Sequence, residues 1–101
     1  MREVEFRRYL EQDIAITSKQ KSVSSKVGKA LIVERELRVD LDDIVKDDEK
    51  TYRLLLAVKE KLNDELYHGV YQNSVRRYYV FVNGKEFPTL KQFERSYKKA
   101  T

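Results

Sequence analysis

Ser22 to Val45 reads SVSSKVGKALIVERELRVDLDDIV. Val23, Val27, Ala30, Leu31 and Leu37 fall at helical spacing and draw one apolar stripe along it. The stretch opens on serines, passes through Glu34 and Glu36, and closes on Val39-Asp40-Leu41-Asp42-Asp43-Ile44-Val45. That closing segment alternates apolar and acidic residues. It predicts a hook whose apolar members enter the core while its aspartates stay wet. Gly28 interrupts the helix at a cost of about 1 kcal/mol relative to Ala, so a close helix contact or backbone approach is expected there.

Upstream, Thr17-Ser18-Lys19-Gln20 has capping-box spacing, so the helix could begin there or at Ser22. The stripe favours Ser22. Before it, Val4, Phe6, Tyr9 and Leu10 predict a short first helix over about Val4 to Gln12, with Ile14 and Ile16 anchoring a turn.

Downstream, Asp47 or Asp48 caps a helix over roughly Glu49 to Asn63. Tyr52, Leu55, Val58 or Lys59, and Leu62 form its inner face, widened by Leu54 and Leu56. Asn63 to Gly69 is a polar break. Val75, Tyr78, Tyr79 and Val82 carry the stripe of a further helix from Val70 or Gln72, stopped by Asn83-Gly84 in a left-handed cap. Thr89 and Gln92 have capping-box spacing and start a basic amphipathic helix running to about Lys98 through Leu90, Phe93 and Tyr97.

With three Gly, one Pro and little strand-like alternation, the pattern is all-helical. A chain of 101 residues is one domain's worth of core. No apolar run approaches the ~20 residues needed to span a bilayer. The start, MREVEFRRYLEQD, has no apolar core of a secretory signal. There is no Cys, hence no disulfide framework, and a cytoplasmic location is the default. The net charge of +4 is uneven. Thr51 to Thr101 holds 10 basic and 5 acidic residues, against 11 and 12 in Met1 to Lys50, an asymmetry that allows nucleic-acid binding without demanding it.

Ser22 to Val45, taken with Tyr71 to Pro88 (YQNSVRRYYVFVNGKEFP), resembles the N-terminal core-binding domain of tyrosine recombinases, the phage integrases. The resemblance covers about Phe6 to Pro88. It implies an orthogonal four-helix bundle of SAM-like type over residues 1–88, with residues 89–101 as an additional C-terminal helix. It implies a DNA clamp from a phage or other mobile element, serving site-specific recombination. The first helix departs from that pattern, being flanked by acids where a clamp prefers bases. The family's chemistry belongs to a separate catalytic domain, so Tyr71, Tyr78 and Tyr79 are not read as its nucleophile.

The residues themselves point the same way. His68 is the only histidine and sits in the polar break beside Gly69. There is no Cys/His cluster for zinc, no serine elbow and no glycine-rich phosphate loop. Asp40, Asp42, Asp43, Asp47, Asp48 and Glu49 lack the Gly and final Glu of a calcium loop, and hook and cap duty explains them. No catalytic set, cofactor, metal or small-molecule substrate is expected, and the chain is read as a non-enzyme.

Lys19, Lys21, Lys26 and Lys29 lie in a stretch without an acid, interleaved with Thr17, Ser18, Ser22, Ser24 and Ser25. A helix start with free N–H groups, hydroxyls and lysines suits phosphate, and a solvated serine-capped loop is the other reading. Lys19, Lys21, Ser22, Ser24, Lys26, Lys29, Arg76 and Lys85 are the expected contacts to double-stranded DNA. Glu34, on or beside the apolar stripe, is expected to pair with Arg76 or Arg77, with Arg77 as the structural partner. The Tyr/Phe ridge reads as core or as a base-stacking face. In the alternative, a stand-alone protein of the same scaffold binds and inhibits a protein partner through Phe87, Leu90, Phe93, Tyr97 and the acidic hook.

Overall fold

Most of the stripe on Ser22 to Val45 does build the central helix, but Leu31 is 39% exposed and Val33, outside the expected stripe, is buried in its place. The structure, a computed structural model, describes the backbone of residues 1–12 and 19–100 and the side chains of 1–12 and 22–96. The expected capping box at Thr17–Gln20, the anchors Ile14 and Ile16, and the side chains of Lys19, Lys21 and Tyr97 lie outside the described residues.

The chain is an all-α bundle: α1 (Glu3–Glu11), α2 (Lys19–Leu37), α3 (Leu41–Ile44), α4 (Asp48–Lys61), a 3-10 turn (Asp64–Tyr67), α5 (Val70–Asn83) and α6 (Leu90–Ala100). Among the described residues there is no strand. Helix α2 begins ahead of Ser22 and lies along α5 as the central pair. Helix α1 packs on both, and α4 lies against α5. Val23, Val27, Ala30 and Val33 of α2 are buried against Val75, Tyr78 and Tyr79 of α5 in one core with Phe6, Leu10, Leu41, Val45, Leu55 and Val58.

Two aromatic clusters flank α5. On one side Phe6, Tyr9, Tyr78 and Phe81 meet with ring centroids 5.0–5.7 Å apart. On the other, Tyr79 packs edge-on to Phe87 at 5.1 Å, Phe87 contacts Phe93 at 5.4 Å, and Phe93 stacks on Tyr52 at 4.8 Å. Such pairs add about 0.5–1.5 kcal/mol each beyond the area they bury. The second cluster folds α6 back onto the bundle.

The hook is built as a helical turn, with its apolar members in or against the core and Asp40 and Asp43 exposed, as expected. Leu41 and Val45 are both fully buried, as i, i+4 spacing allows, and Asp40 caps the turn by accepting the Asp42 N–H at 2.9 Å. Asp47 caps α4 through the Lys50 N–H at 3.0 Å. Gly84 ends α5 in the left-handed region at φ 73°. Thr89 and Gln92 exchange both bonds of the capping box at 3.1 Å. Helix α2 ends with Arg38 at φ 53°, and the Val39 N–H reaches back to the Glu34 carbonyl at 3.1 Å, a Schellman closure without its usual glycine.

Two expectations fail. A Cβ placed on Gly28 would meet nothing within 4 Å, so no close packing requires that glycine. Glu34 turns toward the start of the chain instead of toward Arg76 or Arg77. Its Oε2 accepts the Leu41 N–H at 2.9 Å and lies 3.0 Å from the Met1 ammonium. That ammonium also donates to Asp40 at 2.9 Å. Glu34 sits at the last turn of α2, beside the start of α3, so these groups are nearer to hand than an arginine on α5.

Candidate nucleic-acid interface

Helix α5 has two working faces. Val75, Tyr78 and Tyr79 go inward. Asn73, Arg76, Arg77 and Val80, at i, i+3, i+4 and i+7, share the other face. That face, Lys26 of α2, and Glu86, Phe87 and Thr89 of the α5–α6 linker enclose a cleft of about 660 Å³. Three cations therefore face one carboxylate, and a cleft of one dominant sign concentrates its field on a ligand of the other.

Arg76 shapes the cleft. Its NH1 donates to the carbonyls of Phe87 and Pro88, both at 3.0 Å, and its guanidinium lies 5.8 Å from the Phe87 ring. The arginine thus ties the linker down onto α5. Burial pulls its pKa below the ordinary value, partly opposed by the charge of Glu86. Among the described residues no carboxylate forms an ion pair with Arg76. A half-buried guanidinium bonded to neutral carbonyls and a ring, with Glu86 acting on it only through its field, keeps much of its charge uncompensated.

The expected DNA contacts are only partly gathered. Lys26 and Arg76 meet in the cleft, with Arg77 beside them. Ser22, Lys26 and Lys29 share a stripe of α2 by spacing, yet Lys29 donates to Ser25 Oγ at 2.7 Å and stands outside the cleft lining. Ser24 faces α1, accepting from Arg7 at 3.4 Å. Lys85 is exposed on the linker next to Glu86. Asn73, Glu86 and Thr89 were not foreseen as lining residues. For Asn73 the signal was available, since it precedes Arg76 and Arg77 by three and four positions.

The surface assigned to a protein partner is largely used internally. Phe87 is buried, and Leu90 and Phe93 pack against the core. The acidic hook holds Met1, Arg2 and Tyr78. What does stand out is the pair Leu66 and Tyr67, 76% and 53% exposed on the 3-10 turn. Asn63 and His68 flank that turn in left-handed conformations, and the buried Asp64 carboxylate accepts the Tyr71 and Gln72 N–H groups, both at 2.9 Å.

Among the described residues no helix is long and apolar enough to cross a membrane, and no three His, Cys, Asp or Glu side chains gather as a metal site. Compared with family models, curated proteins and solved structures, the chain matches none.

Proposed function

We propose that this chain is a non-catalytic DNA-binding module that acts inside the cell, on the pattern of the core-binding domain of a phage or mobile-element recombinase. The observation that carries the reading is the meeting of Lys26 with Arg76 and Arg77 in one cleft between α2 and α5. Phosphate contacts of this kind position a protein on duplex DNA and give binding with modest sequence preference. The burial of Phe87 and the stacking of Phe93 on Tyr52 favour this reading over docking through the α6 aromatics.

The test is binding to mixed-sequence duplex DNA across a salt series. A Kd at or below the ~10⁻⁴–10⁻⁶ M nonspecific range, weakening steeply with salt, is the expected result. Lys26→Glu should weaken it further. No binding at low salt would overturn the reading and turn attention to Leu66 and Tyr67 as a protein contact.

A further inference from the structure

A half-buried cation without a carboxylate partner is costly to keep. Arg76 is such a group, and it is not idle. One edge of its guanidinium fixes the linker through two carbonyls. Arginine has five N–H donors in a rigid fork, and NH1 accounts for two of them. The Nε and NH2 donors remain, in the wall of a cleft that also holds the Lys26 ammonium and the Asn73 amide.

The lining also has an apolar part, from Val80 and Phe87. Its volume of about 660 Å³ exceeds what a bare phosphate would occupy. It falls in the ~300–1,000 Å³ range of sites that enclose a small organic ligand. Glu86 stands in the lining and repels a continuous run of negative charge. The cleft therefore suits one phosphate group with an attached uncharged moiety.

We infer that the cleft seats a single phosphate ester of nucleotide size, its phosphate oxygens on Lys26 and Arg76 and its sugar against Val80 and Phe87. This rests on the DNA-binding reading and narrows it: the module grips one backbone phosphate here and meets the others at its exposed lysines. A free nucleoside phosphate offers the same chemistry, so the test separates the two sources. Because Arg76 holds the linker, an occupied cleft also fixes residues 84–89 and the start of α6.

The experiment is an amide-resolved NMR titration of the whole chain with three probes: inorganic phosphate, a nucleoside monophosphate, and a dinucleotide carrying one internal phosphodiester. Duplex binding is measured in parallel on the wild type and Lys26→Gln, a variant that removes a cation without touching the Arg76–linker bonds. Saturable shifts confined to the cleft lining and residues 84–89 are expected with the dinucleotide. They should weaken about tenfold in Lys26→Gln, the scale of one charge-assisted hydrogen bond. The duplex salt slope should fall by about one contact. Saturation by the monophosphate alone, with no duplex binding, would uphold the phosphate site and overturn the DNA reading. Duplex binding with unchanged cleft amides, or with a Lys26→Gln salt slope equal to wild type, would overturn the inference and leave the DNA reading standing. Shifts from inorganic phosphate scattered over surface lysines would also overturn it.

Discussion

The Tyr78 phenol donates to Asp42 Oδ1 at 2.8 Å while accepting the Arg2 N–H at 2.8 Å, so three distant parts of the chain meet on one hydroxyl. Arg2 Nε completes the triangle on the same carboxylate oxygen at 2.9 Å. Tyr78→Phe keeps the ring in its cluster but strips Arg2 and Asp42 of a shared partner. The expected loss is about 1–3 kcal/mol, the cost of leaving the part-buried Arg2 N–H without its acceptor and Asp42 without one donor, read by urea denaturation. An unchanged midpoint would mean that water replaces the hydroxyl freely.

Rising pH should remove stability in two steps. Burial pushes the Tyr78 phenol up to about 12, its bond to Asp42 adding to the rise and the Arg2 N–H opposing it. Burial followed by the bond to Asp48 does the same for Tyr79, to about 12. Both raised groups favour the protonated form in the fold. Their contribution is whole below the ordinary value of 10.0 and lost as pH rises from there through about 12. Burial opposes the charge of the Met1 ammonium, but its bonds to Asp40 and Glu34 outweigh that and raise its pKa from 8.0. Its share is therefore complete below 8.0 and fades above it. Denaturation across this range, with phenolate absorbance followed in parallel, checks both. Phenolate growth complete near pH 10 in the folded protein would contradict the assignment.

Gly28→Ala should stabilise the fold. The position is inside α2 and an added Cβ meets open space, so the full helix-propensity difference of about 1 kcal/mol is recovered. That corresponds to a rise of about 4–8 °C in Tm for a domain of this size. A drop would mean that something does approach this backbone, such as a bound ligand or partner.

Arg38→Gly should also stabilise. Arg38 ends α2 at φ 53°, where a side chain costs about 1–2 kcal/mol, partly offset by glycine's greater freedom in the unfolded chain. A gain of up to about 1 kcal/mol by thermal denaturation is expected.

Asp64→Ala should be among the more damaging single changes, at about 1–3 kcal/mol, because it orphans the Tyr71 and Gln72 amides at the start of α5. Asp64→Asn retains one acceptor oxygen and should cost less. Hydrogen exchange at those two amides distinguishes local fraying from global loss.

What the sequence made legible was mostly local. The caps at Asp47, Gly84 and Thr89/Gln92 involve neighbours a few positions apart, so residue type and spacing suffice. The stripes of α2 and α5 were readable for the same reason. The hook was legible in its burial pattern, with Leu41 and Val45 inside and Asp40 and Asp43 wet, while its helical turn was decided by packing. Glu34 was assigned an arginine because a carboxylate on an apolar stripe needs a partner, but which partner depends on where Met1 returns, 33 positions away in sequence order. The candidate site was half visible. Lys26 and Arg76 were named, but the role of Arg76 in tying the linker follows from a fold-back of α6 that no spacing encodes. Phe87 and Phe93 looked available to a partner for the same reason.

The bond from the Arg2 amide to the Tyr78 hydroxyl spans 76 positions. A chain made from its N-terminus forward produces the amide first and its acceptor much later. Throughout synthesis of α2, α3 and α4, the first helix has no complete seat. Phe6 waits for Tyr78 and Phe81. The Asp64 bonds, by contrast, close over seven and eight positions, so the α4–α5 corner can set as soon as it is made. The earliest made of these helices thus completes its seat only once α5 is made, and that docking is a step that a chaperone or a nascent-chain protease would sense.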